Sequence, residues 1–262
     1  MLILPPIWAS HFKNEKEAFD FFMNQKGEVF RSQKNRKTVR FNYLGAPYFI
    51  KIHHAIGWKE ILKNWISLKK PVISARQEWE ALKKLEKLGI PSLEPVALGE
   101  KGYNPATKQS FIITKELSPH CSLVDLFQKN FNFSYKIQLI KKVALLAQQL
   151  HEQGMNHRDF YLCHFVVKTD VPFDEGSKIY LMDLHRAQIR KYVPKRWLIK
   201  DLSGLYFSAM EIRLSFRDCL RFLKVYRGKK LKIILKEETK FLNQIRKRAV
   251  KLYEHSYPKT LA

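Results

Sequence analysis

Three stretches of this 262-residue sequence carry side chains able to do chemistry together. His157-Arg158-Asp159 directly follows a long amphipathic run that ends Leu150-His151-Glu152-Gln153-Gly154, so a carboxylate sits on a loop leaving a helix. Upstream, Phe49-Ile50-Lys51-Ile52 sets a single ammonium within an apolar strand. Downstream, Ile179-Tyr180-Leu181-Met182-Asp183 delivers a second carboxylate off a short apolar strand. A base for a hydroxyl proton, a fixed cation for phosphates and a carboxylate for a phosphate-bound metal are the parts that transfer of a phosphoryl group to an alcohol requires. Each is ordinary alone: a lysine on a strand is usually a solvated edge residue, and Asp183 by itself reads as a turn. Their order along the chain carries the reading.

The elements that must hold these residues can be read from pattern and punctuation. A strand over Glu28 to Arg31, a polar turn over Ser32 to Lys37, a strand over Thr38 to Tyr43, the tight connection Leu44-Gly45-Ala46-Pro47 and a strand over Tyr48 to His53 predict an antiparallel meander with Lys51 on its third strand. A helix follows, with Ser74 as N-cap, Trp79, Leu82, Leu85 and Leu88 at helical spacing, and Gly89 and Pro91 as stop signals. It brings Glu78, with Glu80 as rival, toward the lysine. Leu93 to Gly99 and Phe111 to Thr114 read as further strands around the turn Gly102-Tyr103-Asn104-Pro105. After Lys115-Glu116-Leu117 the character becomes helical, beginning with Tyr135 to Gln153. Asp201-Leu202-Ser203-Gly204-Leu205 reads as the start of a helix whose aspartate braces the 157–159 loop by accepting its backbone N–H groups. The expected fold class is α+β with two lobes: residues 1–117 a small β-rich lobe, and residues 118–262 a larger α-rich one.

The order Lys51, Glu78, His157-Arg158-Asp159, Asp183, Asp201 resembles that of protein-kinase-like enzymes. The resemblance implies that Asp159 takes the proton of the attacking hydroxyl and that Arg158 organises the loop. It implies that Lys51, oriented by Glu78, aligns the α/β-phosphates of ATP, with Lys115 and Glu116 on the nucleotide side and Asp183 and His164 at Mg²⁺. Asn156 to Phe165, Met182 to Gln188, and Phe111-Ile112-Ile113-Thr114 after Gly99 to Pro105 narrow the likeness to the bacterial lipopolysaccharide core heptose kinases, over about residues 25 to 225. That family implies ATP-dependent phosphorylation of the first heptose of the lipopolysaccharide inner core, at the cytoplasmic face of the inner membrane. The sequence also departs from the protein-kinase pattern. His164 stands where an asparagine is usual, and an imidazole is a softer ligand than magnesium prefers. Asp183-Leu184-His185 lacks the hinge glycine of D-F-G, which predicts a rigid metal site. The glycine-rich loop is replaced by the basic Ser32-Gln33-Lys34-Asn35-Arg36-Lys37, whose side-chain charges supplement backbone amides over the phosphates.

Composition sets the outer bounds. With 45% hydrophobic and 13% aromatic residues the chain is not disordered, and a net charge of +24 calls for a polyanionic partner. The basic side chains concentrate in residues 31–40, 186–200 and 221–251, which suits a basic rim around a phosphotransfer cleft, an acceptor bearing anionic groups and an anionic membrane surface. Cys121, Cys163 and Cys219 form no C-x-x-C pair, so a disulfide framework is not expected, and Cys163 is read as structural. The longest run without Lys, Arg, Asp or Glu, Met1 to Phe12, contains Pro5 and Pro6 and falls short of the roughly 20 residues of a membrane span. A cytoplasmic protein with peripheral membrane contact is expected, and Trp58, Trp65 and Ile66 among Lys59, Lys63, Lys69 and Lys70 form one amphipathic basic stretch that suits it. His53 and His54 read as surface or packing residues. Two alternatives remain: a kinase of the same fold acting on Kdo, a small molecule or a protein, and a non-catalytic polyanion-binding module. Lys51, Asp159 and Asp183, and the lack of any RNP, KH or zinc-finger signature, weigh against the second and against nucleic acid. The sequence leaves a protein partner open.

Overall fold

The computed structural model describes the chain except residues 34, 67–71, 129–132, 171–173, 175 and 259–262. It divides into two compact units, Met1–Leu117 with Leu184–Arg186, and Ser118–Asp183 with Ala187–Ala262.

The first unit holds β1 (Leu2–Ile3), α1 (Pro6–Ala9), α2 (Glu15–Met23), β2 (Glu28–Gln33), β3 (Arg36–Tyr43), β4 (Ala46–His53), α3 (Gly57–Ile66), α4 (Arg76–Lys87), β5 (Pro95–Lys101) and β6 (Gln109–Lys115). Its strands form one antiparallel sheet in the order β1-β5-β6-β4-β3-β2. The β3–β4 hairpin closes through Leu44 and Gly45, both with positive φ, the geometry that matches strand twist in a two-residue turn. Alternation then decides the faces. Val39, Phe41, Ile50 and Ile52 point to one side and pack with Phe111 and Ile113 under Trp8, Phe19 and Phe22 of α1 and α2. Lys51 lies between Ile50 and Ile52 and so projects to the other side.

Three boundaries differ from the sequence reading. The polar segment Ser32 to Lys37 is mostly strand, since Ser32 pairs with Lys37 and Gln33 with Arg36; an exposed hairpin satisfies its backbone without apolar alternation. Ala75, not Ser74, is the residue before α4; Ser74 Oγ instead accepts the Arg76 N–H at 3.0 Å and donates to Glu100 at 2.6 Å. Met1 to Phe12, to which the pattern assigned no element, holds β1 and α1. Lys34, Lys69 and Lys70 lie outside the described residues.

The second unit holds β7 (His120–Ser122), α5 (Leu123–Gln128), α6 (Phe133–Glu152), β8 (Met155–Asn156), β9 (Phe165–Lys168), β10 (Tyr180–Leu181), β11 (Gln188–Ile189), α7 (Lys195–Glu211), α8 (Phe216–Arg227), α9 (Leu231–Glu237) and α10 (Thr239–Ser256). Helix α6 buries Leu139, Ile140, Val143, Ala144, Ala147, Leu150 and His151 on one face. Gly154 ends it at φ 73°, and a Cβ there would meet the Arg190 carbonyl oxygen at 2.0 Å, so only glycine lets β8 and β11 pair so close to the helix end. Helix α7 begins behind Pro194, well before Asp201, which therefore lies in the helix interior rather than at its start. No helix among the described residues is long and apolar enough to cross a membrane.

Candidate active site

In the first unit, Lys51 Nζ and Glu78 Oε1 are 2.7 Å apart. Glu78 shares the buried face of α4 with Ala81, Leu82 and Leu85, whereas Glu80 is exposed, so burial selects Glu78. The pair holds an ammonium at a fixed height on β4. His53, two residues on, is buried, and burial followed by the charges of Arg36 and Lys51 drives its pKa down to about 3, so it is a neutral packing residue. Lys115 and Glu116 are engaged inside this unit: the Lys115 amide donates to Glu94, the Glu116 amide to Pro47, and the Glu116 carboxylate accepts from Arg40 at 2.8 Å. The Glu116 side chain is thereby occupied by the sheet.

The second unit assembles the loop chemistry around one carboxylate. Asp201, fully buried, accepts the His157 N–H at 2.6 Å and the Arg158 N–H at 2.8 Å. Its Oδ2 also lies 3.4 Å from His151 Nε2, and His151 Nδ1 lies 2.8 Å from Tyr226 Oη. Read as a network, the Tyr226 hydroxyl donates to Nδ1, which leaves the Nε2 hydrogen for Asp201. Arg158 is held at φ 73° and Asp183 at φ 59°, left-handed conformations that cost energy in non-glycine residues and that collect at functional loops. Gly204 permits the close seat of α7: a Cβ there would lie 3.1 Å from the Phe160 carbonyl oxygen.

The two loops are laced together. His157 Nε2–H donates to the Met182 carbonyl at 2.9 Å, and the Met182 amide donates to the His164 carbonyl at 2.9 Å. Burial lowers the His157 pKa in spite of Asp201, so the ring is neutral. His164 Nδ1–H donates to the Asp159 carbonyl at 2.7 Å, and its Nε2 stands 3.7 Å from Asp183 Oδ2. Burial opposes charge on this ring, but the Cys163 sulfur, the Asp159 carbonyl and the Asp183 carboxylate outweigh it and raise the pKa to about 9. His164 thus links the Asp159 backbone, through Nδ1, to the Asp183 carboxylate, through Nε2.

The sequence profile of the Lipopolysaccharide kinase (Kdo/WaaP) family matches residues 20–226, which contain every one of these residues. The chain belongs to this lipopolysaccharide kinase family. It is 45% identical over 253 residues to the lipopolysaccharide core heptose(I) kinase WaaP of Escherichia coli, covering 94% of this chain and 95% of that protein. To the enzyme of the same name from Pseudomonas aeruginosa it is 42% identical over 247 residues, 92% of each chain. A solved structure described as WaaP in complex with acyl carrier protein superposes with TM-score 0.82 at 37% identity, covering 97% of this chain and all of that one. The chain is thus an ATP-dependent phosphotransferase with the α+β, kinase-like fold of a β-rich and a helical unit.

What such a lipopolysaccharide kinase needs from a metal site can be tested against the donors present. No group of three or more His, Cys, Asp or Glu side chains suited to a metal exists among the described residues. Magnesium in phosphoryl-transfer sites takes one or two carboxylates and completes its shell with phosphate oxygens and water. Asp183, partly exposed beside β10, fits that part.

The structure also exposes positioning residues that the sequence reading passed over. His151 stood in the quoted run Leu150-His151-Glu152 without a role. Its signal was a polar side chain on the buried face of α6, on the same stripe as Val143, Ala144, Ala147 and Leu150. Tyr226 gave no comparable signal, because its partner is distant in sequence.

Proposed function

We propose that this lipopolysaccharide kinase transfers the γ-phosphoryl group of ATP to a hydroxyl of the first heptose of the lipopolysaccharide inner core. The identity to two enzymes named heptose(I) kinases supports the acceptor. The single observation that supports the chemistry is the buried Asp201 carboxylate, which fixes the two backbone amides immediately before Asp159. In this mechanism Asp159 accepts the hydroxyl proton as the oxygen attacks the γ-phosphorus. Lys51, held by Glu78, sets the α/β-phosphates, Arg158 shapes the loop, and Asp183 holds Mg²⁺. The metal supplies charge neutralisation across the phosphates. In this reading the enzyme works peripherally at the cytoplasmic face of the inner membrane, a location that its net charge of +24 suits because the bilayer surface is anionic.

Incubating the purified chain with γ-labelled ATP, Mg²⁺ and a heptose-containing core acceptor should move label onto heptose, located by mass spectrometry. Label on Kdo, or on protein alone, would reject the heptose assignment.

We also infer that an acyl carrier protein is its protein partner, as it is for the solved relative, a WaaP in complex with acyl carrier protein. A cavity of about 300 Å³ in the helical unit, walled by Leu139, Leu162, Leu202, Phe222 and Ile245, has the apolar lining an acyl chain needs. Native mass spectrometry of the chain expressed in its host should show the added mass of an acylated carrier protein. A bare chain at its own mass would reject this partner.

A further inference from the structure

Four cations gather around one indole in the helical unit. Trp197 lies in the first turn of α7, and its ring centroid is 4.9 Å from the Arg158 guanidinium, 5.1 Å from that of Arg196, 5.9 Å from that of Arg190 and 5.8 Å from Lys200 Nζ. The segment 186–200 contains no acidic residue. Among the described residues no ion pair joins Arg190 or Arg196 to a carboxylate. Arg190 is held instead by two neutral oxygens, Asn156 Oδ1 at 2.7 Å and Gln188 Oε1 at 2.6 Å. Burial, and then the charge of Arg196, pull its pKa below the usual arginine value.

The helix adds to the same field. No side chain caps the N-terminus of α7 and no acid lies in its first turn; Lys195 and Arg196 stand there, although the positive end of a helix favours anions. Trp197 Nε1 is buried with no acceptor among the described residues. Like charges at a positive helix end, here Lys195 and Arg196, cost stability unless an anion offsets them. Planar guanidiniums, whose N–H forks match carboxylate and phosphate oxygens, are suited to do so. The cluster also adjoins the catalytic loop, since Arg158 directly precedes Asp159 and Asn156 opens the loop on β8.

We propose that Arg158, Arg190, Arg196, Lys200 and the Trp197 N–H form an anion site that binds a carboxylate or phosphate monoester carried by the acceptor, and so presents the acceptor hydroxyl to Asp159. This rests on the reading of the chain as a core-sugar kinase and names the feature by which the acceptor is recognised.

Kinetics of Arg196→Gln, Lys200→Gln and Arg190→Gln/Arg196→Gln test it. Each lost charged contact should raise the acceptor KM about tenfold, with the KM for ATP and kcat at saturating acceptor within about twofold of wild type. Arg196→Lys should recover part of the loss. Arg196 is exposed, so its variants keep the fold even if the double variant does not. An acceptor KM unchanged in Arg196→Gln and Lys200→Gln would overturn the proposal. The source of the anion is read with two modified acceptors, one with its carboxylates methyl-esterified and one with its phosphates removed. The modification that raises the wild-type KM and makes Arg196→Gln silent identifies the group, and no response to either would overturn the proposal. If wild-type protein transfers no phosphate, the kinase reading fails on its own. The anion site is then judged by titrating inorganic phosphate against tryptophan fluorescence: a response lost in both Trp197→Phe and Arg196→Gln is expected, and one retained in Arg196→Gln would overturn it.

Discussion

Asp159→Asn should lower the rate of phosphoryl transfer to heptose by about 10³-fold, the middle of the range for removing a positioned general base. Asparagine keeps the volume and one oxygen but cannot take a proton. The loop should keep its shape, because His164 and Asp201 hold it through backbone groups. His164 binds the Asp159 carbonyl, not its carboxylate, and Asp201 holds the two preceding amides. The thermal midpoint should therefore stay within a few degrees of wild type, because the volume and these backbone bonds are kept. Steady-state assays with γ-labelled ATP read the rate. Because the interaction is made only as the hydroxyl is attacked, kcat should fall while the KM for ATP holds. Activity within tenfold of wild type would move proton acceptance to another group.

The parts legible in the sequence were those fixed by local pattern. A lysine flanked by isoleucines must face away from the core packed by its neighbours, and Glu78 falls on the α4 stripe with Leu82 and Leu85. Gly89, Gly154 and Gly228 end helices at positive φ, as the punctuation of a sequence can show. Illegible parts came from two sources. Where a helix starts behind a proline in a basic segment, as α7 does at Lys195, charge masked the periodicity, and Asp201 was moved from interior to end. Where a role arises from contacts distant in sequence, no spacing rule applies. His151 is a buried polar residue on a helix stripe until Asp201 and Tyr226 are seen on either side of it. His164 looked like a metal ligand because of its position five residues after Asp159. No spacing rule shows the tie it makes between the two loops, with Nδ1 on the Asp159 carbonyl and Nε2 facing Asp183.

Asp201→Ala should cost the fold about 3–5 kcal/mol, since it strands two buried amides that each bond a charged acceptor. No water can replace the lost oxygens without room to enter, and Asp201 has no exposed surface. Asp201→Asn keeps one acceptor oxygen but turns an NH₂ toward a donor, so it should lose about 2 kcal/mol, between the alanine variant and wild type. Urea unfolding at constant m-value measures both. The same substitutions separate bracing from mere stability, because the amides released belong to His157 and Arg158, directly before Asp159. In the fraction that remains folded, kcat should fall at least tenfold with Asp201→Asn, while Lys51, in the first unit, keeps its pairing with Glu78 and the KM for ATP is unchanged. Tyr226→Phe makes the finer cut. It preserves the ring that stacks on Phe222 at 5.6 Å and deletes only the hydroxyl that orients His151 toward Asp201. A fall in kcat there that disappears when His151 is replaced by glutamine would show that the hydroxyl acts through the imidazole. Equal losses in both backgrounds would place Tyr226 outside the brace, and a full-rate, destabilised Asp201→Asn would mean that the loop finds its catalytic shape without it.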